Sequence, residues 1–316
     1  MIVTLTPNPS VDRAVTIDAL RRGEVHRATE VRVDAGGKGL NVARAITAQG
    51  GEAVAVLPSG GPEGRLLEGL LADAGVPSRV VPIAGAVRMN ISVLEPEGTT
   101  TKLNEPGPAL SPAEVDALLD ATGDAIAGAT WVVGCGSLPP GAPVDLYARL
   151  VERARAVGVR VAIDSSGAPL AAAVAAVPDL VKPNHEELAE LVGHPLPTLG
   201  DVRAAADELV ASGIGTVAVS LGADGALLVT ADEVAHARAT IVAAVSTVGA
   251  GDCMVAGMVN GLSRSLRPAD ALAEGVAWGA AAVTLPGTRV PTRADLHGIP
   301  VDLTHTPPAA LALGQR

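Results

Sequence analysis

Phenylalanine is absent from this 316-residue chain, and Trp131, Trp278 and Tyr147 are its only Trp and Tyr side chains. With so few ring faces to stack on, a single-strand nucleic-acid platform is not expected. Positive charge is scarce as well: 23 Lys and Arg against 34 Asp and Glu leave a net charge of −11. Nucleic-acid binders need a basic footprint, so that class of partner is set aside. An anionic small substrate stays possible if a few Lys and Arg are placed locally to hold it. Cysteine is limited to Cys135 and Cys253, which make no metal-site spacing and read as small buried residues of a reducing compartment, a single disulfide being the other reading. None of the six histidines falls in an H-E-x-x-H or similar zinc pattern. Long apolar runs are missing too, since the longest, Gly275 to Leu285, is well short of the roughly 20 residues a bilayer span needs. The opening run Ile2 to Thr6, followed by Pro-Asn-Pro, lacks the basic and apolar regions of a secretory leader. A cytoplasmic protein with no membrane partner is therefore expected.

What the chain does have is Ala, Val and Leu in alternating patterns. Short β-branched runs at 2–6, 53–57, 131–134, 159–163, 179–183, 216–220 and 226–230 take turns with Ala/Leu-rich helical stretches at 112–127, 143–157, 185–192, 201–212, 254–265 and 268–285. Such alternation predicts βαβ units and a mostly parallel sheet, an α/β fold. Two segments break the rhythm: 15–33 and 87–103 read as consecutive strands with turns such as Pro-Glu-Gly, as in hairpins attached to an α/β body. The C-terminal HTPPAALALGQR, 305–316, is expected to fray.

Chemistry concentrates where glycines meet helix starts. STVGAGDCMVAG (246–257) follows an apolar run, IVAAV (241–245), that reads as a strand, and precedes an apolar helical repeat. A strand-to-helix turn leaves first-turn N–H groups unpaired at the positive end of the helix dipole, which makes an anion site. Gly249 and Gly251 remove the Cβ atoms that would keep a phosphate off the backbone. Asp252 then has two readings: an ordinary helix N-cap, or a base that accepts a hydroxyl proton beside a transferring phosphoryl group. No Gly-Lys-Ser/Thr follows, so this is not a Walker loop.

DAGGKGLN (34–41) is a second glycine turn before a helical run, NVARAITAQ; its Lys38 is either an exposed loop lysine or a point charge for a phosphate. TPNPSVD (6–12) presents Asp12 after the first strand, where open α/β sheets bind ligands, although a plain turn residue fits equally. Arg88 with Asn90, and Lys102 with Asn104, share strand faces that suit either solvent or an anionic polyol. VKPNHEEL (181–188) offers Asn184 and Glu187 as a capping box, or as holders of metal-bound water near a nucleotide's phosphates. SLGADGAL (220–227) is a hairpin or a backbone surface along a nucleotide, and GCGSLPPG (134–141) is a glycine-rich strand end offering Ser137.

Each signal is weak alone, but their order is informative. TPNPSVD, AGGKGLNVARA, GSLPPG, VKPNHEEL, SLGADGAL and STVGAGD together resemble the PfkB (ribokinase-like) carbohydrate kinases from residue 2 to about residue 290. GGKGLN, TKLNEPGP (101–108) and STVGAGD point to the sugar-phosphate kinase branch. The resemblance implies a three-layer α/β/α ribokinase-like body spanning 1–304, with a small β-sheet lid whose strands are inserted at about 12–33 and 87–104. It implies an enzyme that uses ATP and Mg²⁺ to phosphorylate a ketose phosphate: fructose 1-phosphate, with tagatose 6-phosphate or fructose 6-phosphate as alternatives. A sugar-phosphate-binding regulator without turnover is the reading from another class. Carried over by motif, Asp252 is the base, and Gly249, Ala250 and Gly251 form the anion hole. Asp12, Gly36, Gly37, Lys38, Asn41, Arg88, Asn90, Lys102 and Ser137 would contact the sugar phosphate. Lys182, Asn184, Glu187, Ser220, Gly222, Gly225, Ser246 and Thr247 would serve ATP, with Glu187 and Asn184 reaching Mg²⁺ through water. Cys135 and Cys253 stand where that branch often has serine. A homodimer that pairs lid with lid is expected, since it would cover the lid's exposed edge.

Overall fold

A computed structural model describes residues 1–96, 99–241 and 243–314. In chain order the strands are β1 (Ile2–Leu5), β2 (Ser10–Thr16), β3 (Glu30–Gly36), β4 (Ala53–Ser59), β5 (Ser78–Pro82), β6 (Arg88–Leu94), β7 (Thr100–Asn104), β8 (Trp131–Cys135), β9 (Arg160–Asp164), β10 (Leu180–Val181), β11 (Thr216–Ser220), β12 (Ala226–Val229), β13 (Val234–Ala239) and β14 (Val301–Thr304). The helices are α1 (Lys38–Ala48), α2 (Gly61–Asp73), α3 (Pro112–Ile126), α4 (Leu146–Ala156), α5 (Gly167–Ala175), α6 (His185–Val192), α7 (Leu199–Ala211), α8 (Ala250–Ser263) and α9 (Pro268–Val283).

Strand residues alternate between two apolar cores, as a doubly covered parallel sheet requires. Trp131 and Val133, Ala162, Ala218, and Ala226 and Leu228 face one core together with Leu40 and Ile46 of α1, Leu67 of α2, Met258 of α8 and Trp278 of α9. Val132, Val161 and Ile163, Val217 and Val219, and Leu227 and Val229 face the other with Leu118 of α3, Tyr147 of α4, Leu188 of α6 and Val202 of α7. The result is a ten-stranded sheet, order β14-β13-β12-β11-β10-β9-β8-β1-β4-β5, sandwiched between helix layers. It is parallel from β5 to β11, and β12, β13 and β14 extend it antiparallel. The expected three-layer α/β/α arrangement is present. Strand order reverses between β1 and β8, the crevice where such sheets take their ligands.

The two expected hairpin segments supply a separate four-stranded sheet, order β3-β2-β6-β7, but of 15–33 only the two ends are strand: β2 begins earlier, at Ser10, and 17–29 is not strand. Its register sets Asp34, Asp12, Asn90 and Asn104 in one cross-strand row. Glu97 and Gly98 of the Pro-Glu-Gly turn lie outside the described residues.

Three expectations are corrected. The described residues of 241–245, Val242 being outside them, are not a strand; the Val245 and Ser246 N–H groups both donate to the Val283 carbonyl at the end of α9, and β13 takes the place in the sheet. The tail does not fray over 305–314: the Leu199 and Gly200 N–H groups, orphaned in the first turn of α7, donate to the Leu311 and Ala309 carbonyls, and Leu313 is buried. Gln315 and Arg316 are outside the described residues. Helix α8 begins at Ala250, four residues earlier than the apolar repeat suggests. Helices α2 and α5 were not anticipated, nor were β5, β13 and β14. Among the described residues, no helix is long and apolar enough to cross a membrane.

Helices α8 and α9 approach through glycine. A Cβ on Gly257 would sit 2.8 Å from the Gly275 Cα and 3.0 Å from the Glu274 carbonyl oxygen, both backbone atoms that cannot swing away. Gly69, on the exposed side of α2, has nothing within 4 Å of a built Cβ. Gly257→Val is therefore expected to lower unfolding stability by about 2 kcal/mol, and Gly69→Ala to raise it by about 0.5 to 1 kcal/mol, both read from urea midpoints at unchanged m-value.

Candidate active site

The C-terminal ends of β8, β9, β10 and β11 and the N-termini of α1 and α8 converge on one crevice. A cavity of about 870 Å³ opens there, lined by Lys38, Asp164, Lys182, Asn184, Glu187, Ser220, Gly222, Gly225, Thr247, Ala250, Gly251 and Asp252, among others. Part of its lining is small and apolar, with Val276, Gly279, Ala280 and Val283 from α9 and Ala243 and Ala244 from the loop before α8. That part offers aliphatic contact to a flat ligand where no aromatic ring exists.

Glycine makes both helix starts possible. Gly249 is the N-cap of α8 in the left-handed region, φ 80°, and makes no side-chain cap. Asp252 therefore occupies the third helical position, and the ordinary-cap reading is excluded. Among the described residues, the Gly249, Gly251 and Asp252 N–H groups have no backbone acceptor, whereas Ala250 N–H makes a long 3.4 Å bond to the Thr247 carbonyl. A Cβ on Gly251 would make only ordinary contact, at 3.7 Å, with Lys182 Nζ, so the approach to those N–H groups is open. At the other helix, Gly37 is the N-cap with φ 119°, and a Cβ there would lie 2.9 Å from Thr6 Cγ2. Lys38 is thus the first residue of α1, three positions before the run NVARAITAQ.

The electrostatic centre is Asp164, which sequence reasoning missed. It ends β9 and is 1% exposed; its Oδ1 accepts a 2.9 Å bond from Lys38 Nζ, and Lys182 Nζ stands 3.7 Å from its Oδ2. Burial pushes the Asp164 carboxyl up, but the Lys182 and Lys38 ammonium groups outweigh it and hold the acid below the ordinary range. Lys38 also stands 3.9 Å from Glu187 Oε1, and its two carboxylate neighbours, Asp164 foremost, raise its pKa against burial. Lys182 is itself buried.

Asp252 is buried beside this group. Burial, then the Asp164 carboxylate, push its pKa up to about 6, while a 2.8 Å bond from Asn41 Nδ2 to its Oδ2 and the Lys38 and Lys182 charges pull the other way. Such a carboxylate is ionised at neutral pH yet basic enough to take a proton.

Asn184 caps α6: its Oδ1 accepts from Glu187 N–H at 2.7 Å, and Glu187 Oε2 accepts from Asn184 N–H at 2.8 Å. The capping box and the place on the cavity wall coexist, because Glu187 Oε1 is turned toward Lys38. Ser220 reaches Asn184 through an isolated bridge, with Gly222 and Gly225 in the turn that follows.

A second polar group lies on the small sheet. Ser10 Oγ and Asn90 Nδ2 both donate to Asp12 Oδ1, at 2.7 and 3.0 Å. Gly36 is needed beside them, since a Cβ there would fall 2.3 Å from the Asp12 carboxylate. Arg88 donates to the Glu105 and Asn8 carbonyls, and Asn8 Nδ2 reaches Pro106 O and, at 3.4 Å, Ser137 Oγ. Asn8 was not singled out in TPNPSVD, although the motif contained it. Two candidates stand apart: Lys102 is exposed on β7, paired with Ser92 two rows beyond Asn90 and Asn104, and Ser246 Oγ is engaged with the Gly287 carbonyl.

A family model described as pfkB family carbohydrate kinase matches residues 6–295. The chain belongs to that family. It is 41% identical over 265 residues to a 1-phosphofructokinase of Xanthomonas campestris, covering 82% of this chain and 83% of that one. It is 40% identical over 302 residues to the ATP-dependent 6-phosphofructokinase isozyme 2 of Escherichia coli, covering 94% and 97%. A crystal structure of Escherichia coli phosphofructokinase-2 in complex with substrates and products superposes with a TM-score of 0.90 at 39% identity, again covering 94% and 97%. The ribokinase-like fold expected from the motifs is thereby established. A kinase of this family with Asp164 between two ammonium groups has a built-in test: Asp164→Ala leaves Lys182 buried without its counter-ion and is expected to cost about 3 kcal/mol or more, whereas Lys38→Met, at a more exposed group, costs less, both read by chemical denaturation.

Proposed function

We propose that this protein transfers the γ-phosphoryl group of ATP to the 6-hydroxyl of fructose 1-phosphate, giving fructose 1,6-bisphosphate. The observation that carries the reading is Asp252: a buried carboxylate at the N-terminus of α8, poised near neutrality, with unpaired backbone N–H groups on the residues around it. In that arrangement Asp252 accepts the hydroxyl proton as the oxygen attacks the γ-phosphorus. The bond from phosphorus to the bridging oxygen breaks, ADP leaves, and the N–H groups of Gly249 and Gly251 bear the charge on the phosphoryl oxygens. Lys38 and Lys182 offset the phosphates within an acidic protein. The small sheet serves as the lid, with Asp12, Asn90, Arg88 and Ser137 toward the sugar phosphate and Gly36 and Gly37 allowing close approach.

The residues suit Mg²⁺. Glu187 lines the cavity, Asp164 Oδ2 is a buried acceptor with no hydrogen-bond partner, and no cluster of three or more His, Cys, Asp or Glu exists among the described residues. Hard oxygen donors in so small a number fit a cation that keeps its waters. Glu187 and Asn184 would hold it through water, and when bound it would neutralise the ATP phosphates. Ser220, Gly222 and Gly225 lie along the nucleotide, with Thr247 at the anion-hole turn.

Substrate choice rests on GGKGLN with Lys38, on TKLNEPGP and on STVGAGD, because relatives named for fructose 1-phosphate and fructose 6-phosphate kinases are equally similar. Support for a dimer through the small sheet comes from its outer face, where Val31 is 46% and Leu103 58% exposed in company with Val15, Ile91 and Val93. The free, buried Cys135 and Cys253 accord with the cytoplasm.

ADP release measured with fructose 1-phosphate, fructose 6-phosphate and tagatose 6-phosphate in parallel is expected to favour the first in kcat/KM. Preference for another sugar overturns the substrate, and binding without turnover overturns the kinase reading. Asp252→Asn is expected to lower kcat by about 10³-fold or more with sugar-phosphate binding retained. Because the base must be ionised, kcat/KM of the parent should fall tenfold per pH unit below about 6. The same raised pKa means that the ionised carboxylate weakens the folded state as pH rises through about 6, so Asp252→Asn should be more thermostable than the parent at pH 8 and lose that advantage in acid.

A further inference from the structure

Asn41 donates to Asp252, but an amide has two ends, and something must decide which one faces the carboxylate. Arg44, one turn further along α1, supplies the decision. Its Nη1 donates to Asn41 Oδ1 at 3.1 Å while Asn41 Nδ2 donates to Asp252 Oδ2 at 2.8 Å. A flipped amide would turn its NH₂ on the guanidinium and its oxygen on the carboxylate, losing both bonds at once. The guanidinium is fixed in turn: the same Nη1 donates to the Ala35 carbonyl of β3 at 3.1 Å and to the Thr288 carbonyl beyond α9 at 3.3 Å. Arg44 does not line the cavity.

We infer that Arg44 is a positioning residue for catalysis: it locks the Asn41 amide so that Asp252 always meets an N–H donor, and ties that lock to the small sheet through Ala35. The inference deepens the reading of Asp252 as base and rests on it. A locked donor holds the carboxylate in the rotamer that faces the incoming hydroxyl and favours its ionised form. The other charged groups facing Asp252 are Lys38 at the start of α1, Asp164 at the end of β9 and Lys182 after β10; of its sequence neighbours only Cys253 can titrate, and it is buried. None of the three touches Arg44 by a hydrogen bond or ion pair, so their contribution stays constant when Arg44 is changed.

The test is a cycle of Arg44→Met, Asn41→Ala and the double variant, with Arg44→Lys as rescue, measured for kcat and for the KM of ATP and of fructose 1-phosphate between about pH 5 and about pH 9. Arg44→Met is expected to lower kcat about tenfold and move the acidic limb of the profile up by about half a unit, with KM for ATP unchanged. In the Asn41→Ala background the same change should cost less than about twofold, and Arg44→Lys, which keeps a charged donor, should recover most of the loss. Full additivity of the two changes, or an unmoved acidic limb with normal kcat, overturns the inference. Should Arg44→Met fail to fold because two carbonyls lose their donor, Arg44→Gln, which keeps an NH₂ group without charge, replaces it in the cycle and the same outcomes decide. Asp252→Asn separates the layers: normal turnover there removes the base, whereas an inactive Asp252→Asn with additive Arg44 and Asn41 effects removes the lock alone.

Discussion

The crevice depends on one buried charge arrangement, Asp164 facing Lys38 and Lys182. Lys182 is buried and Lys38 only partly exposed, and a single carboxylate at the end of β9 answers both ammonium groups. Its presence lets α1 begin with a lysine at the cavity wall and lets a buried lysine follow β10. It also sets the character of Asp252, whose carboxyl is raised first by burial and next by Asp164. The site thus keeps two buried acids in opposite states of ease: one pinned as an anion by its lysines, one held near the point of accepting a proton.

Around that arrangement the backbone does what side chains do elsewhere. Two glycine N-caps turn the starts of α1 and α8 toward the same space, and the small residues of α9 line the other side. An acidic protein can therefore host phosphates without a basic surface, because the positive potential is confined to two lysines, a few arginines and open N–H groups.

Much of this was legible in the sequence. The parallel body, the two hairpins and the Asn184 capping box followed from periodicity and cap chemistry, and the motif order identified the family. What local patterns did not carry were partners distant in the chain. Asp164 sits in VAIDSS, where nothing nearby marks it, and its meaning comes from Lys38, 126 positions away. Arg44 takes its meaning from the Ala35 and Thr288 carbonyls, 9 and 244 positions away. Val245 closes a run of strand composition, but its N–H finds its acceptor at the end of α9 rather than on a neighbouring strand. The tail looked unanchored because the N–H groups it covers belong to the first turn of α7.

The scarcity of aromatic residues gives the molecule an uneven optical signature. Trp131, with the Arg160 guanidinium 4.5 Å from its ring centroid, and Trp278 both belong to the core under α1, α8 and α9, whereas the single tyrosine, Tyr147, lies in the core on the opposite face of the sheet. Indole emission therefore watches only the layer that carries Asp252 and Arg44. Loosening of α3 to α7 would register most directly in the environment of one phenol, so a tryptophan-fluorescence melt weights the layer of α1, α8 and α9 over the layer that carries Glu187.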